Sequence, residues 1–459
     1  MIRPFNIKCM LWFCTILLLA FSFPLQVLTM SPYPALLPYF LILVILLLDV
    51  STNNYQISSL LNNCENKKTT KIVSLYLLLL LFNTGWQTAF GVISLYEGVT
   101  ALVIYLLPVF FYWYFLKVAT EQEIIWVLLA VSISGFLVGV FFAYDSYLKL
   151  AVGTISLYAQ EASDYSVLRG LEKGFDVFTS RARTEHRSFG PLESRAVSAS
   201  WIILGFIASL SLLPLKLKFL RRGIIVVFGL LLFLTLNFTA VVTFLVLILL
   251  FEFGGTSFLV GNFKEWFRQF IWFVLIGELV LYAVYFLAGD FMSEFLLTNI
   301  RYQINMLLGI GNYNSPLTLF SLIKDNFYIY YQNVQHYPHT LLLGDGFSSF
   351  GIPKSGDIGF IESMAKFGVP FFFIVVLGLV YSVLRAFKQV VSISEFGNNS
   401  CNDLMRLRFL QFSISVILMI FIAEGHYSVW KAKSILPIVF IVVALFSRYI
   451  YVQHRYQKP

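Results

Sequence analysis

Charge is scarce in this chain: Asp, Glu, Lys and Arg together make up 12% of its 459 residues. A soluble domain carries about twice that share, so a water-facing globular surface is excluded. Cysteine is nearly absent too, with Cys9, Cys14, Cys64 and Cys401 placed singly and no C-x-x-C among them. Neither a disulfide framework nor a cysteine zinc site follows from that pattern. Also missing are H-E-x-x-H, D-x-D and a P-loop, which removes the sequence signals of a zinc protease, a nucleotide-sugar donor site and a cytoplasmic ATPase.

Apolar residues fill the space left by charge, at 59% of the chain and a mean hydropathy of +0.80. Such a chain belongs in lipid, as an all-α integral membrane protein, because only helices and closed barrels satisfy their backbone there. A crossing helix needs about 20 apolar residues, and the runs predict about twelve spans: 10–28, 32–50, 72–92, 98–118, 123–143, 197–215, 224–236, 238–253, 269–289, 357–382, 409–424 and 434–452. The seventh and eighth are short and read as a pair, or one bent hairpin around Leu236, Asn237 and Phe238. The count is therefore eleven to twelve.

Lys and Arg on short loops mark the cytoplasmic side. Arg3, Lys8, Lys67, Lys68, Lys71, Lys117, Lys216, Lys218, Arg221, Arg222, Lys264, Arg268, Arg385, Lys388, Arg406, Arg408, Arg455 and Lys458 all fall on one side of the alternation. Lys431 and Lys433 are the exception. Both termini are then cytoplasmic, and the two long polar segments, 145–196 and 290–356, lie outside as loops carrying short helices. The net charge of +8 is explained by this pattern, and no nucleic-acid partner is implied. Segment 1–28 starts with charge like a signal peptide, yet its apolar run is long and no A-x-A site follows, so it is expected to stay as a span.

The first external loop ends SRARTEHRSFGPLESRAVSASW (180–201) and runs straight into a span. It places Arg181, Arg183, Arg187 and Arg195 within fifteen residues. Arginine offers a planar fork of donors that suits phosphate oxygens bidentately, so the cluster can hold a pyrophosphate head group; the alternative is a solvated, salt-bridged loop. The second loop contains Arg301, the aromatic run FYIYY (327–331), and His336 and His339. Either histidine can act as a base or as a neutral hydrogen-bond partner.

Gly344, Gly346 and Gly351 are external and lead into a span, so a dinucleotide loop is rejected in favour of a tight re-entrant turn with positive φ and close backbone approach. Asp357 stands where it can cap the next helix, and Glu362 and Lys366 are spaced to pair across one turn. Glu278 lies near the middle of the ninth span, marking a cavity or a protonated acid. Glu424 and His426, at the outer end of the eleventh, are further candidates for a proton acceptor.

Four pieces in this order resemble the O-antigen polymerase and ligase superfamily of bacterial envelope glycosyltransferases. They are RSFGPLESRAVSAS (187–200), GLLLFLTLNFTAVVTFLVLILL (229–250), LLLGDGFSSFG (341–351) followed by GDIGFIESMAKFGVPFF (356–372), and AEGHYSVWKAKSILPIV (423–439). The match covers the chain from about 180 to its end, while the first five spans agree only in hydropathy. Two departures bear on the branch. The short hairpin has Asn237 and Phe238 where relatives carry Ser-Arg, and Asp357 stands where ligases carry a histidine. The second favours the polymerase branch.

The resemblance implies a metal-independent, inverting transfer, without cofactor, of a glycan from an undecaprenyl pyrophosphate carrier to a second lipid-linked repeat unit. The setting would be the periplasmic face of a bacterial inner membrane, in O-antigen (lipopolysaccharide) or related polysaccharide biosynthesis, with a chain-length regulator as a further partner. It implies Arg187 and Arg301 on the pyrophosphate, Arg183 and Arg195 as helpers, and Asp357 or His339 as the base. The alternatives are ligation of finished glycan to lipid A-core, and a lipid-linked oligosaccharide flippase. A transporter is expected to show internal repeats and charges at mid-membrane; no clear repeat is present.

Overall fold

The computed structural model describes residues 7–52, 67–90, 94–148, 156–168, 190–192, 194–213, 217–235, 237–248, 317–344, 359–378, 401–424 and 434–450, with residues 152, 154, 380, 381 and 384 between them. Among these, every regular element is helical and no strand occurs. The order is α1 (Ile7–Ala20), α2 (Ser22–Thr29), a 3-10 turn (Tyr33–Leu36), α3 (Leu37–Thr52), α4 (Lys67–Ala89), α5 (Leu95–Lys117), α6 (Glu121–Tyr147), α7 (Leu157–Leu168), α8 (Arg195–Leu212), α9 (Lys218–Leu234) and α10 (Phe238–Ile248). There follow α11 (Leu317–His336), α12 (Thr340–Leu343), α13 (Gly359–Phe367), α14 (Val369–Gly378), α15 (Cys401–Glu424) and α16 (Leu436–Ile450). Among the described residues, three helices are long and apolar enough to cross a membrane, or five if each of two bent pairs is one span. The chain is an all-α membrane protein.

Two expected spans are broken. The run 10–28 divides into α1 and α2, bent by 65°. Pro24 lacks the N–H that would bond the Ala20 carbonyl, and the chain turns one turn before it, at Phe21. The run 357–382 divides into α13 and α14, bent by 119°. Gly368 adopts φ +79° between them and Pro370 follows within the first turn of α14, so a left-handed helix stop meets a proline-containing start. The expected hairpin around 236–238 is present as two helices: α9 ends at Leu234, and the Asn237 side chain accepts from Ala240 N at 3.1 Å to open α10. Expected span 269–289 lies outside the described residues.

Residues 1–13, 39–127 and 319–459 form one compact unit. Within it α4 and α5 are an antiparallel hairpin, with Tyr76 OH donating to Tyr105 O at 3.3 Å. α15 and α16 repeat the arrangement, Phe409 meeting Tyr449 at 5.2 Å between ring centroids, and α16 packs along α5. One end of the unit is tied by charge and caps. Arg448 donates to Phe115 O at 3.3 Å and Ala119 O at 2.6 Å, satisfying carbonyls that a helix end leaves open. Thr120 and Glu123 form a capping box, Thr120 N donating to Glu123 Oε2 at 2.6 Å and Glu123 N to Thr120 Oγ1 at 3.3 Å. Lys8 pairs with Asp49.

Residues 14–38 and 128–318 form the second unit, organised around α8. Gly135 of α6 and Gly205 of α8 lie so close that a Cβ on Gly205 would stand 2.7 Å from Gly135 Cα, and Ser132 Oγ sits 2.5 Å from Ser209 Oγ. Small residues four apart allow such backbone contact between membrane helices. Gly135 and Gly139 repeat the spacing, and a Cβ on Gly139 would meet Leu231 of α9 at 2.6 Å. Phe206 then packs on Phe228 of α9 and Phe244 of α10, at 6.1 and 4.6 Å. α7 closes on α2 through Phe23, Val27, Ala159, Ala162 and Tyr165.

Candidate functional site

At the end of the first unit opposite Arg448, five helices bring polar side chains together. α4 delivers Asn83 and Trp86 in its last two turns. Asn83 is 1% exposed; its Nδ2 donates to Leu343 O at 3.0 Å, and its Oδ1 accepts from Trp86 Nε1 at 3.3 Å. The amide thus fills an open carbonyl at the end of α12 and fixes an indole at once. His339, at the N-terminus of α12, sets its ring edge-to-face against Trp86 with centroids 5.0 Å apart.

α12 is pressed against α13 by two glycines in the left-handed region. Gly344 has φ +73° and Gly368 φ +79°. A Cβ on Gly344 would collide with Lys366 O, and one on Gly368 with Leu342 O. Neither site accepts a side chain, because both space and φ require glycine. The expected turn with positive φ and close backbone approach is thus seen at Gly344; Gly346 and Gly351 lie outside the described residues.

α13 then presents Glu362, Ser363 and Lys366. Lys366 Nζ lies 3.0 Å from Glu362 Oε1, the expected pair, with both side chains largely buried. Ser363 Oγ donates to Glu424 Oε2 of α15 at 2.7 Å. Glu424 is buried, so it enters as a hydrogen-bonded acid inside the protein and not as a solvent-facing one. Tyr330 of α11 packs on Ile361 and Ala365 from the other side. His336 is exposed at the last turn of α11.

The arginine segment reaches the second unit at the start of α8. Gly190, with φ +78°, donates its N–H to Asp145 Oδ2 at 3.3 Å, and Pro191 O accepts from Tyr158 OH at 2.6 Å. Ser194 caps the helix by accepting from Val197 N at 3.2 Å. Arg195 is the first helical residue and is half-buried. It therefore stands where helix N–H groups and dipole already favour an anion.

The chain matches no protein-family model and no curated protein. Of the candidate residues, His339, His336 and Glu424 fall in the first unit, while Arg195 falls in the second. Asp357, Arg187, Arg301, Arg183, His426 and Glu278 lie outside the described residues. Sequence reasoning passed over Asn83, Trp86 and Ser363. A signal for Asn83 exists: Asn83, Thr84 and Gln87 follow closely on a leucine run within one apolar helix and all three are buried, and polar groups kept inside a membrane helix mark places of function.

Proposed function

We propose that this protein polymerises undecaprenyl-pyrophosphate-linked oligosaccharide repeat units into O-antigen or a related surface polysaccharide. It acts as an inverting glycosyltransferase of the inner membrane, with eleven to twelve spans, cytoplasmic termini and a periplasmic site. The observation that carries the reading is the clamp of α12 on α13. The two segments with the resemblance, 341–351 and 356–372, meet there at Gly344 and Gly368; a candidate base, His339, opens α12, whose end is held by Asn83, and α13 carries the Ser363 hydroxyl bonded to Glu424.

In the proposed reaction an acceptor sugar hydroxyl attacks the anomeric carbon of the donor glycan. The bond from that carbon to the pyrophosphate oxygen breaks, and the electron pair leaves with undecaprenyl pyrophosphate. The hydroxyl proton passes to Asp357 or His339, a base that must come within hydrogen-bond reach. Arg187 and Arg301, helped by Arg183 and Arg195, stabilise the charge that grows on the leaving group. The position of Arg195 at the N-terminus of α8 supports that division of labour, as does the exposed position of His339.

The test is complementation of a polymerase-null strain of the source organism, with lipopolysaccharide resolved on a gel for wild type and Arg187→Ala. The expected result is a ladder restored by wild type and reduced to single capped repeats by the variant. Single repeats with wild type would refute polymerisation. Substitution of Arg187 and Arg301 in the source strain, where polymer is made, would then separate the alternatives: accumulated lipid-linked polymer indicates a ligase, and repeats trapped inside indicate a flippase.

A further inference from the structure

We propose that the indole of Trp86 and the imidazole of His339 form a subsite for one sugar ring of the glycan, held in shape by Asn83. The inference rests on the glycan-transfer reading and adds α4 to the site. Trp86 is half-buried and His339 exposed, their rings nearly perpendicular at 87°. Phe90 flanks the indole at 6.2 Å and Tyr337 flanks the imidazole at 6.2 Å. Both flanking rings are exposed, at 78% and 50%.

Aromatic side chains at the end of a membrane helix commonly serve as interface anchors, and in that role the indole N–H is left for head groups and water. Here it is committed to the buried Asn83, whose other end holds Leu343 O. The ring is therefore oriented by the protein and not by the bilayer. The cluster of Phe90, Trp86, Tyr337 and His339 has no permanently charged group. A phosphate would call for cations, and an acyl chain would leave the imidazole without a partner. A sugar ring supplies both complements, C–H groups for an aromatic face and hydroxyls for the imidazole nitrogens. Asn83 acts as a positioning residue, since both its polar atoms are used within the protein.

The experiment uses the full chain in lipid nanodiscs and, as probe, the free oligosaccharide released by mild acid from the lipid-linked repeats of the source cells. Saturation-transfer NMR from protein aromatic protons is titrated for wild type, Trp86→Ala, Trp86→Phe, Asn83→Leu and Asn83→Asp. Transfer to ring C–H protons is expected for wild type. Binding is expected to be at least tenfold weaker for Trp86→Ala and Asn83→Leu, and intermediate for Trp86→Phe, which keeps a ring but loses the N–H to Asn83, and for Asn83→Asp, which keeps the acceptor for the indole but loses the donor to Leu343 O. Wild-type affinity in Trp86→Ala, with only the melting temperature changed, overturns the subsite and makes Trp86 an interface anchor; absence of probe binding to wild type overturns it as well. Complementation with the same variants separates the two proposals. A ladder from wild type with unaltered binding by Trp86→Ala removes the subsite alone, whereas binding that depends on Trp86 without a ladder removes polymerisation alone.

Discussion

α8 and α4 are apolar helices of comparable length in opposite surroundings. Over its most apolar stretch α8 is 83% buried inside the protein, whereas α4 is 39% buried. α8 carries Ser198, Ser200, Gly205, Ser209 and Ser211 along its length, and it achieves contact through missing side chains. α4 has its buried polar groups, Asn83, Thr84 and Gln87, at one end, and Asn83 holds a neighbouring turn. Hydropathy is similar in kind for both, so hydropathy does not separate a packing helix from one that shapes a site. What separates them is where small and polar residues fall.

The most damaging change for the packing helix is Gly135→Leu. Its side chain would have to enter the backbone of α8 at Trp201 and Gly205; overpacking costs about 1–3 kcal/mol even where side chains can yield, and backbone cannot. Loss of the folded peak in size-exclusion chromatography is expected, and a normal peak would sink the view that α6 and α8 touch there. At the site, Gly344→Ala adds a Cβ at φ +73° against Lys366 O, a conformation that costs on the order of 1–3 kcal/mol. The clash with backbone adds to that strain, so α12 should lose its seat on α13, with a much lowered melting temperature and a collapsed polysaccharide ladder; a normal melt and ladder would sink the clamp.

Glu424→Leu leaves the buried Ser363 hydroxyl without its acceptor and should cost about 1–3 kcal/mol. Glu424→Gln keeps an acceptor and should stay near wild type in a thermal melt. Equal melting of the two variants would show that the carboxylate, and not the hydrogen bond, is what matters. The smallest effect belongs to Ser132→Ala, which removes the contact with Ser209; side-chain hydrogen bonds between membrane helices average about 0.6 kcal/mol. A shift beyond two or three degrees in the melting curve would mean that this serine pair does more than trim a tight crossing.

The helical runs were readable from their apolar length, and so was the Glu362–Lys366 pair, which is local along one helix. The glycine turn was readable at Gly344 because its demand for positive φ is local as well. The breaks at Phe21 and Gly368 were signalled by Pro24 and by Gly368 with Pro370, but apolar content continues across both, and a reading by length alone joins the halves. Asn83 with Leu343 and Ser363 with Glu424 were not legible. Their partners lie 260 and 61 residues apart, and no local periodicity encodes such pairings.

The sequence alone determined that this chain is built of membrane helices, because 59% apolar residues in long runs leave the backbone no other way to satisfy itself in lipid. The tertiary structure decided which of its few polar groups meet. In an apolar interior each buried amide, hydroxyl or carboxylate must find a partner, and the partner is set by which helix ends are brought together, as α4, α12, α13 and α15 are around His339 and Glu424.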